Sequence, residues 1–269
     1  MVYLRLIRVF SCAFSWLPRR VAEQTITSHA PLGVLKQEVY NLLTALDVSQ
    51  GGRQMLFRQI RAEGDRNFAY LIGDKAAKEC AIVDASYAPE RVLEAAQAEG
   101  LRVRYVISTH SHPDHIAGND YLLERTEAAE VMHESSPRKC KKMVRDNEEL
   151  ELGRMRLRFL HTPGHIPDHV CVLSVGKLLT GDILFVGKVG GTGSHFPGSD
   201  PRQQWDSLQR LLKLEPATEV WPGHDYGTTP SSTIGREAAG NPFLLCKTFE
   251  EFLHLKANWA EYKKLHNIS

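Results

Sequence analysis

Thr109-His110-Ser111-His112-Pro113-Asp114-His115 places three imidazoles and a carboxylate in a few positions, directly after the strand candidate Arg104–Ile107. On an extended segment His110 and His112 project to the same side. Asp114 and His115 follow from the turn into the next helix. Imidazole with carboxylate is the ligand set of zinc and its first-row neighbours. One such loop supplies too few ligands, so the rest must come from distant loops. The fold therefore has to gather several strand ends at one place. A solvated histidine-rich turn, the bland alternative, makes no such demand.

Three further loops answer that need. His165 lies in His161-Thr162-Pro163-Gly164-His165, after the strand candidate Arg156–Leu160. Asp182 lies in Thr180-Gly181-Asp182, after Leu178–Leu179. His224 lies in Trp221-Pro222-Gly223-His224-Asp225-Tyr226, after Glu219–Val220. Each stands where a rigid strand can present a ligand to a shared cleft. Singly, each also reads as a surface turn residue. With the first motif they read as one site.

The rest of the punctuation is regular. Met55–Ile60, Phe68–Ile72, Ala81–Val83, Arg104–Ile107 and Glu130–Met132 read as strands in the first half. Pro89–Glu99 reads as a helix with proline in its first turn and Gly100 as its stop, and Ala117–Arg125 as another. Lys139–Asp146 reads as helix or loop. In the second half Arg156–Leu160, Val170–Ser174, Leu178–Thr180 and Glu219–Trp221 are strand candidates, and Pro201–Leu212 and Phe249–Lys264 are helices. Strands both succeed one another and alternate with helices, which predicts an α/β (α+β) fold of two mixed sheets packed together with helices outside.

Residues 1–22 carry Arg5, Arg8, Arg19 and Arg20 and no acid. That pattern reads as a mitochondrial targeting leader, or as an extension with no address. The apolar run Val9–Leu17 is too short to span a bilayer. Residues 23–54 form an N-terminal extension with an amphipathic helix over Val34–Leu46, and the main domain takes residues 55–269, including a short C-terminal helical segment. Lys+Arg 33 against Asp+Glu 32 excludes the basic field that nucleic-acid binding needs. Cys12, Cys80, Cys140, Cys171 and Cys246 are scattered and odd in number, which argues against a disulfide framework and for a reducing compartment. The chain is expected to be soluble and intracellular, mitochondrial if the leader is a transit peptide and cytoplasmic otherwise, with no membrane partner.

The ordered set His-x-His-x-Asp-His, His165, Asp182 and His224 resembles the metallo-β-lactamase superfamily over roughly Met55–Leu245. The resemblance implies an αββα sandwich with two divalent metal ions at the edge between its sheets, zinc first, with iron or manganese as alternatives. It implies that His110, His112 and His165 bind one metal, that Asp114, His115 and His224 bind the second, and that Asp182 bridges both. Asp84, closing Ala81–Val83, matches a carboxylate that orients a ligand; as a bland reading it is a turn residue.

Within the superfamily, Gly181-Asp182-Ile183-Leu184-Phe185-Val186-Gly187 and the His165 and His224 motifs resemble glyoxalase II, the hydroxyacylglutathione hydrolases. Two departures stand out. Residues 225–269 are too few for the full helical glutathione-binding domain of longer members, and the loop Val189–Phe196 lacks their basic residue. The implied chemistry is hydrolysis of a thioester of the S-acylglutathione type by a water that two cations share, with Asp114 and Asp182 orienting the nucleophile. His195, Tyr226, Arg236 and Lys247 are candidates for contacting such a small-molecule substrate, and Asp225 for lining the cleft. His133, His161 and His169 flank the site motifs and read as packed or hydrogen-bonded structural residues, and His29, His254 and His266 as surface ones.

The nearest rival is persulfide dioxygenation. Those dioxygenases look similar and use one iron held by two histidines and a carboxylate, here His110, His165 and Asp182. They carry an arginine where this chain has Gly191-Thr192, which favours hydrolysis; a mitochondrial leader would favour the dioxygenase. Hydrolysis of a β-lactam or lactone by the same metals is a third reading. The sequence leaves the oligomeric state open.

Overall fold

The computed structural model describes residues 55–194 and 196–266. The leader, the Val34–Leu46 helix and His195 lie outside the described residues.

Two six-stranded sheets form the centre. The first has the order β1 (Met55–Arg61), β2 (Phe68–Asp74), β3 (Glu79–Val83), β4 (Arg102–Ile107), β5 (Ala129–His133), β6 (Lys142–Val144). Its first three strands are antiparallel and β3 to β6 run parallel. The second has the order β14 (Ser232–Thr233), β13 (Glu219–Pro222), β10 (Lys177–Gly181), β9 (Val170–Ser174), β8 (Met155–His161), β7 (Glu149–Leu152). Only its β10–β13 pair is parallel. A short hairpin, β11 (Leu184–Phe185) with β12 (Lys188–Val189), follows β10.

Period-two alternation explains the layering, because successive side chains leave opposite faces of a strand. Tyr70, Ile72, Val83 and Ile107 from the first sheet meet Leu157, Phe159, Val172 and Leu179 from the second in one core. Their neighbours Leu71, Ile82 and Val106 face outward beneath α1 (Pro89–Ala98) and α3 (Asn119–Arg125). On the far side Leu160, Cys171, Leu178 and Val220 meet α4 (Pro201–Leu211), α5 (Ile234–Gly240), α6 (Pro242–Leu245) and α7 (Phe249–Ala257). The result is the expected αββα sandwich of two mixed sheets. No helix among the described residues is long and apolar enough to cross a membrane.

The sheets are clasped at the end away from the site. Asp74, closing β2, accepts from the backbone N–H of Arg154 at 2.8 Å and from its Nε at 3.2 Å, in the β7–β8 turn. Gly153 has φ +59°, and a Cβ there would lie 2.7 Å from Asp74 Oδ2, so only glycine lets the turn approach so closely.

Several expectations are corrected. Lys139–Asp146 is neither helix nor plain loop: Lys142–Val144 adds to the sheet beside Val131–His133 and buries Val144, a tertiary pairing that outweighs its charged flanks. The helix expected at Ala117–Arg125 starts at Asn119, after Gly118, and is preceded by a separate turn, α2 (Pro113–Ile116). The closing helix breaks at Asn258, whose φ is −111°, into α7 and α8 (Trp259–Leu265). Its side-chain Nδ2 donates to the His254 carbonyl at 2.9 Å, a local bond of the kind that competes with helix continuation.

Candidate metal centre

β3 and β4 run parallel and end at the same edge of the first sheet, which places Asp84 beside Thr109. β10 and β13 do the same in the second sheet, which places Asp182 beside Gly223 and His224. The two edges are sewn together: Phe68 N–H donates to the Gly223 carbonyl at 2.8 Å, Asp225 N–H to the Arg66 carbonyl at 2.9 Å, and Asn67 forms a bridge with His224. All seven expected ligand side chains meet at this seam.

They fall into two adjoining sets. His110 Nε2 and His165 Nε2 each lie 3.0 Å from His112 Nδ1. Beside them, Asp114 Oδ2 lies 3.5 Å from His115 Nε2 and 3.3 Å from His224 Nε2. Asp182 faces both sets, with Oδ1 3.4 Å from His115 Nε2 and Oδ2 3.4 Å from His224 Nε2 and 3.7 Å from His165 Nε2.

The outer ring nitrogens of His110, His115, His165 and His224 are engaged. His165 Nδ1–H donates to the Gly191 carbonyl at 2.8 Å and His224 Nδ1–H to the Asp65 carbonyl at 2.8 Å. His115 Nδ1–H donates to Asp84 Oδ2 at 3.0 Å. His110 Nδ1 meets Thr109 Oγ1 at 3.0 Å, and that hydroxyl donates to Asp84 Oδ2 at 2.8 Å. An imidazole whose outer N–H is so held turns its other lone pair inward. Asp84 also accepts the Thr109 backbone N–H at 2.7 Å and sits at φ +53°, a conformation that costs energy outside glycine and clusters at functional sites.

Electrostatics separates the two sets. Burial drives His110 well below the ordinary imidazole value and lowers His112 and His165, so three neutral nitrogens face one another. In the second set burial opposes protonation but loses, so in the metal-free chain the inner nitrogens of His115 and His224 hold protons that a divalent cation would displace. Asp182 and Asp84 raise His115 well above its usual value, and Asp114 and Asp182 push His224 up to about 10. Burial would raise Asp182 and Asp114, yet His115 and His224 hold both well below the carboxylate range.

These donors fit divalent cations. Tetrahedral nitrogens at about 2.0–2.1 Å from zinc stand roughly 3.3 Å apart, close to the spacing of the first set. Three lone-pair nitrogens cannot satisfy one another with so few protons. His115 Nε2 and Asp182 Oδ1 are buried with no hydrogen-bond partner among the described residues. The groups His110, His112, His165 and Asp114, His115, His224 could each hold an ion, as could His110, His115, Asp182.

Other side chains play supporting roles: that of Asn67 was not legible in the sequence, while His169 takes the hydrogen-bonded structural role expected of it, with a partner the sequence did not identify. Asn67 Nδ2 donates to Asp114 Oδ2 at 2.9 Å. His169 is fully buried, accepts the Asp182 backbone N–H at 3.0 Å through Nε2, and meets Thr162 Oγ1 at 2.9 Å through Nδ1. Nothing in Asn67's local sequence marks it; His169 stands four residues past His165, and that proximity was its only signal.

The candidate substrate residues divide. Tyr226 stacks on His224, ring centroids 4.7 Å apart, and its hydroxyl donates to Asp65 Oδ2 at 2.6 Å. Asp225 pairs with Arg61 Nη2 at 2.6 Å. Arg236 on α5 and Lys247 before α7 are exposed, and among the described residues no hydrogen bond or ion pair joins either to the histidine and aspartate cluster. His133 and His161 stack on each other at 3.9 Å, while His254 and His266 are exposed.

The fold and this seam define a class. The chain belongs to the metallo-β-lactamase superfamily, whose pattern matches residues 62–224. Among its relatives, a hydroxyacylglutathione hydrolase of Gloeobacter violaceus is 36% identical over 180 residues, covering 64% of this chain and 68% of the relative. A beta-lactamase hydrolase-like protein of Agrobacterium fabrum is 26% identical over 223 residues, covering 70% of this chain; the chain spans about half of that relative, 52%. Among solved structures, ETHE1 from Myxococcus xanthus superposes with a TM-score of 0.72 at 34% identity, covering 76% of this chain and 91% of that one.

Proposed function

We propose that this chain is a metal-dependent hydrolase of thioesters of the S-acylglutathione type. The observation that carries this reading is the sharing of Asp182 between two donor sets, its Oδ1 turned to His115 and its Oδ2 to His224 and His165. In this reading His110, His112 and His165 would hold one cation and Asp114, His115 and His224 a second, with Asp182 available to both. Divalent cations held there would supply an activated water near neutral pH and Lewis-acid polarisation of a carbonyl.

The chain's own groups supply the rest. Asp114 is 30% exposed at its side chain against 11% for Asp182, so it is the carboxylate that an entering water meets. Asn67 donates to Asp114 Oδ2, the same oxygen that faces His115 and His224, and so helps to fix the carboxylate's direction. Asp84, the Asp65 carbonyl and the Gly191 carbonyl keep the ring protons of His115, His224 and His165 on the outer nitrogens. A thioester suits such a site because its thiolate leaves without a strong general acid. The hydroxyacylglutathione hydrolase relative supports that substrate class.

The likeness to ETHE1 supports a second reading, a mononuclear iron persulfide dioxygenase using His110, His165 and Asp182. One experiment separates the two. Metal content is measured with turnover of S-lactoylglutathione and with oxygen uptake on glutathione persulfide. Two zinc equivalents with thioester cleavage and no oxygen uptake support hydrolysis. One iron with oxygen consumption replaces it, and a chain inert in both assays sinks both readings.

A further inference from the structure

Lys256 on α7 lies between α4 and the loop after β12. Its Nζ donates to the Gly190 carbonyl at 2.8 Å and to Gln204 Oε1 at 2.6 Å. The ring centroids of Phe252 and Phe243 lie 5.5 and 5.9 Å away. Among the described residues no carboxylate pairs with it, and burial alone pulls its ammonium down to a pKa of about 7. A half-buried ammonium held only by neutral acceptors, with no counter-ion, gains little stability, so packing alone does not account for a lysine here.

What it grips leads to the metal centre. The Gly190 carbonyl takes a second donor, Gln204 Nε2, at 3.0 Å, and Gln204 is fully buried on α4. The next carbonyl, that of Gly191, receives the Nδ1–H of His165 at 2.8 Å. The strip is tightly confined on its inner side. A Cβ on Gly190 would come 1.8 Å from the Asp182 carbonyl oxygen, and one on Gly191 would come 2.2 Å from the Phe196 ring. On its outer side it borders a cavity of about 330 Å³, walled also by Phe243, Leu253, Lys256 and Trp259. Open space there gives the peptides little packing support, so the donors from Lys256 and Gln204 restrain that face.

The geometry points to Lys256 as a positioning residue for the His110, His112 and His165 set: it fixes the Gly190–Gly191 strip, and the strip fixes the tautomer and direction of His165. This rests on the reading that the set holds a cation. A carbonyl on one ring nitrogen keeps the other as a lone pair aimed at the metal, and loss of such an orienting partner costs about 10–100-fold in metal affinity.

The test uses the full chain and cobalt(II), titrated against a competing chelator. In Lys256→Met one of two cobalt equivalents should bind about tenfold more weakly, while the melting temperature of the metal-free chain stays level or rises because an uncompensated charge has gone. Gln204→Leu cuts the same grip from α4. It should weaken the same equivalent, and the double variant should lose less than the two losses combined. If Lys256→Met does not fold, Gln204→Leu decides alone. Unchanged affinity for both equivalents overturns the inference and leaves the hydrolase reading standing. A matching fall in metal-free melting temperature overturns it in favour of plain packing. A native chain that takes up no cobalt overturns both.

Discussion

The backbone N–H of Asp182 donates to Nε2 of His169 across 3.0 Å. The carboxylate that both donor sets share is therefore aimed by an imidazole that is not itself in either set. Burial keeps His169 well below its ordinary pKa, so Nε2 stays an acceptor. His169→Phe fills similar space and removes the acceptor. We expect kcat to fall by about 10–100-fold with the fold retained, the usual cost of losing an orienting partner. Steady-state kinetics beside a far-ultraviolet circular dichroism spectrum check this, and a native kcat would show that the bond is incidental.

Asp182→Asn keeps the shape but removes the negative charge and replaces one of the two acceptor oxygens facing His115 and His224 with an NH2 donor. Elemental analysis should show fewer than two bound equivalents, and thioester turnover should drop by more than about 100-fold, beyond the effect of an orienting partner. Normal rates in a fully metallated variant would remove Asp182 from the mechanism.

Gly190→Ala places a methyl group 1.8 Å from the Asp182 carbonyl oxygen, a backbone atom that cannot swing aside. Forced overpacking of this kind costs about 1–3 kcal/mol. Urea unfolding of the metal-free chain should register that loss, and Gly176→Ala, where a Cβ meets nothing within 4 Å but φ is +74°, serves as the strain-only comparison.

The clasp between the sheets should be acid-sensitive. Burial would raise the Asp74 carboxyl, but donors from Arg154, Ala77 and Ala76 bring it from 3.8 to about 2. Because the folded value is the lower one, the stabilisation is complete above about pH 4 and disappears as pH falls towards 2. Because water screens the half-exposed Arg154, that stabilisation is at most about 2 kcal/mol. Asp74→Ala should lower stability at pH 7 and flatten its dependence between pH 4 and 2, as denaturant titrations at several pH values will show.

Much of this was readable in advance, for identifiable reasons. His110, His112, Asp114 and His115 sit together in sequence because one strand end and one turn carry them. His165, Asp182 and His224 each close an apolar run, and Val170–Ser174 matches its strand end for end. Local pattern fails where tertiary contact decides. The strand Lys142–Val144 exists only because β5 offers it an edge. The short β7, β11, β12 and β14 and helices α5 and α6 are held by neighbours rather than by periodicity. Asn67, 47 positions from Asp114, and Lys256, 66 positions from Gly190, meet partners that no spacing rule connects.

The stitching of Asn67 to His224 and of Phe68 to Gly223 closes the two layers by ordinary peptide contacts. The cradle's frame is thus held by backbone contacts rather than by its donor side chains, and those donors are imidazole and carboxylate, which discriminate weakly among first-row elements. Selection then passes from scaffold to supply: the same polypeptide grown in zinc-rich or iron-rich medium should come out carrying different cargo on one unchanged frame.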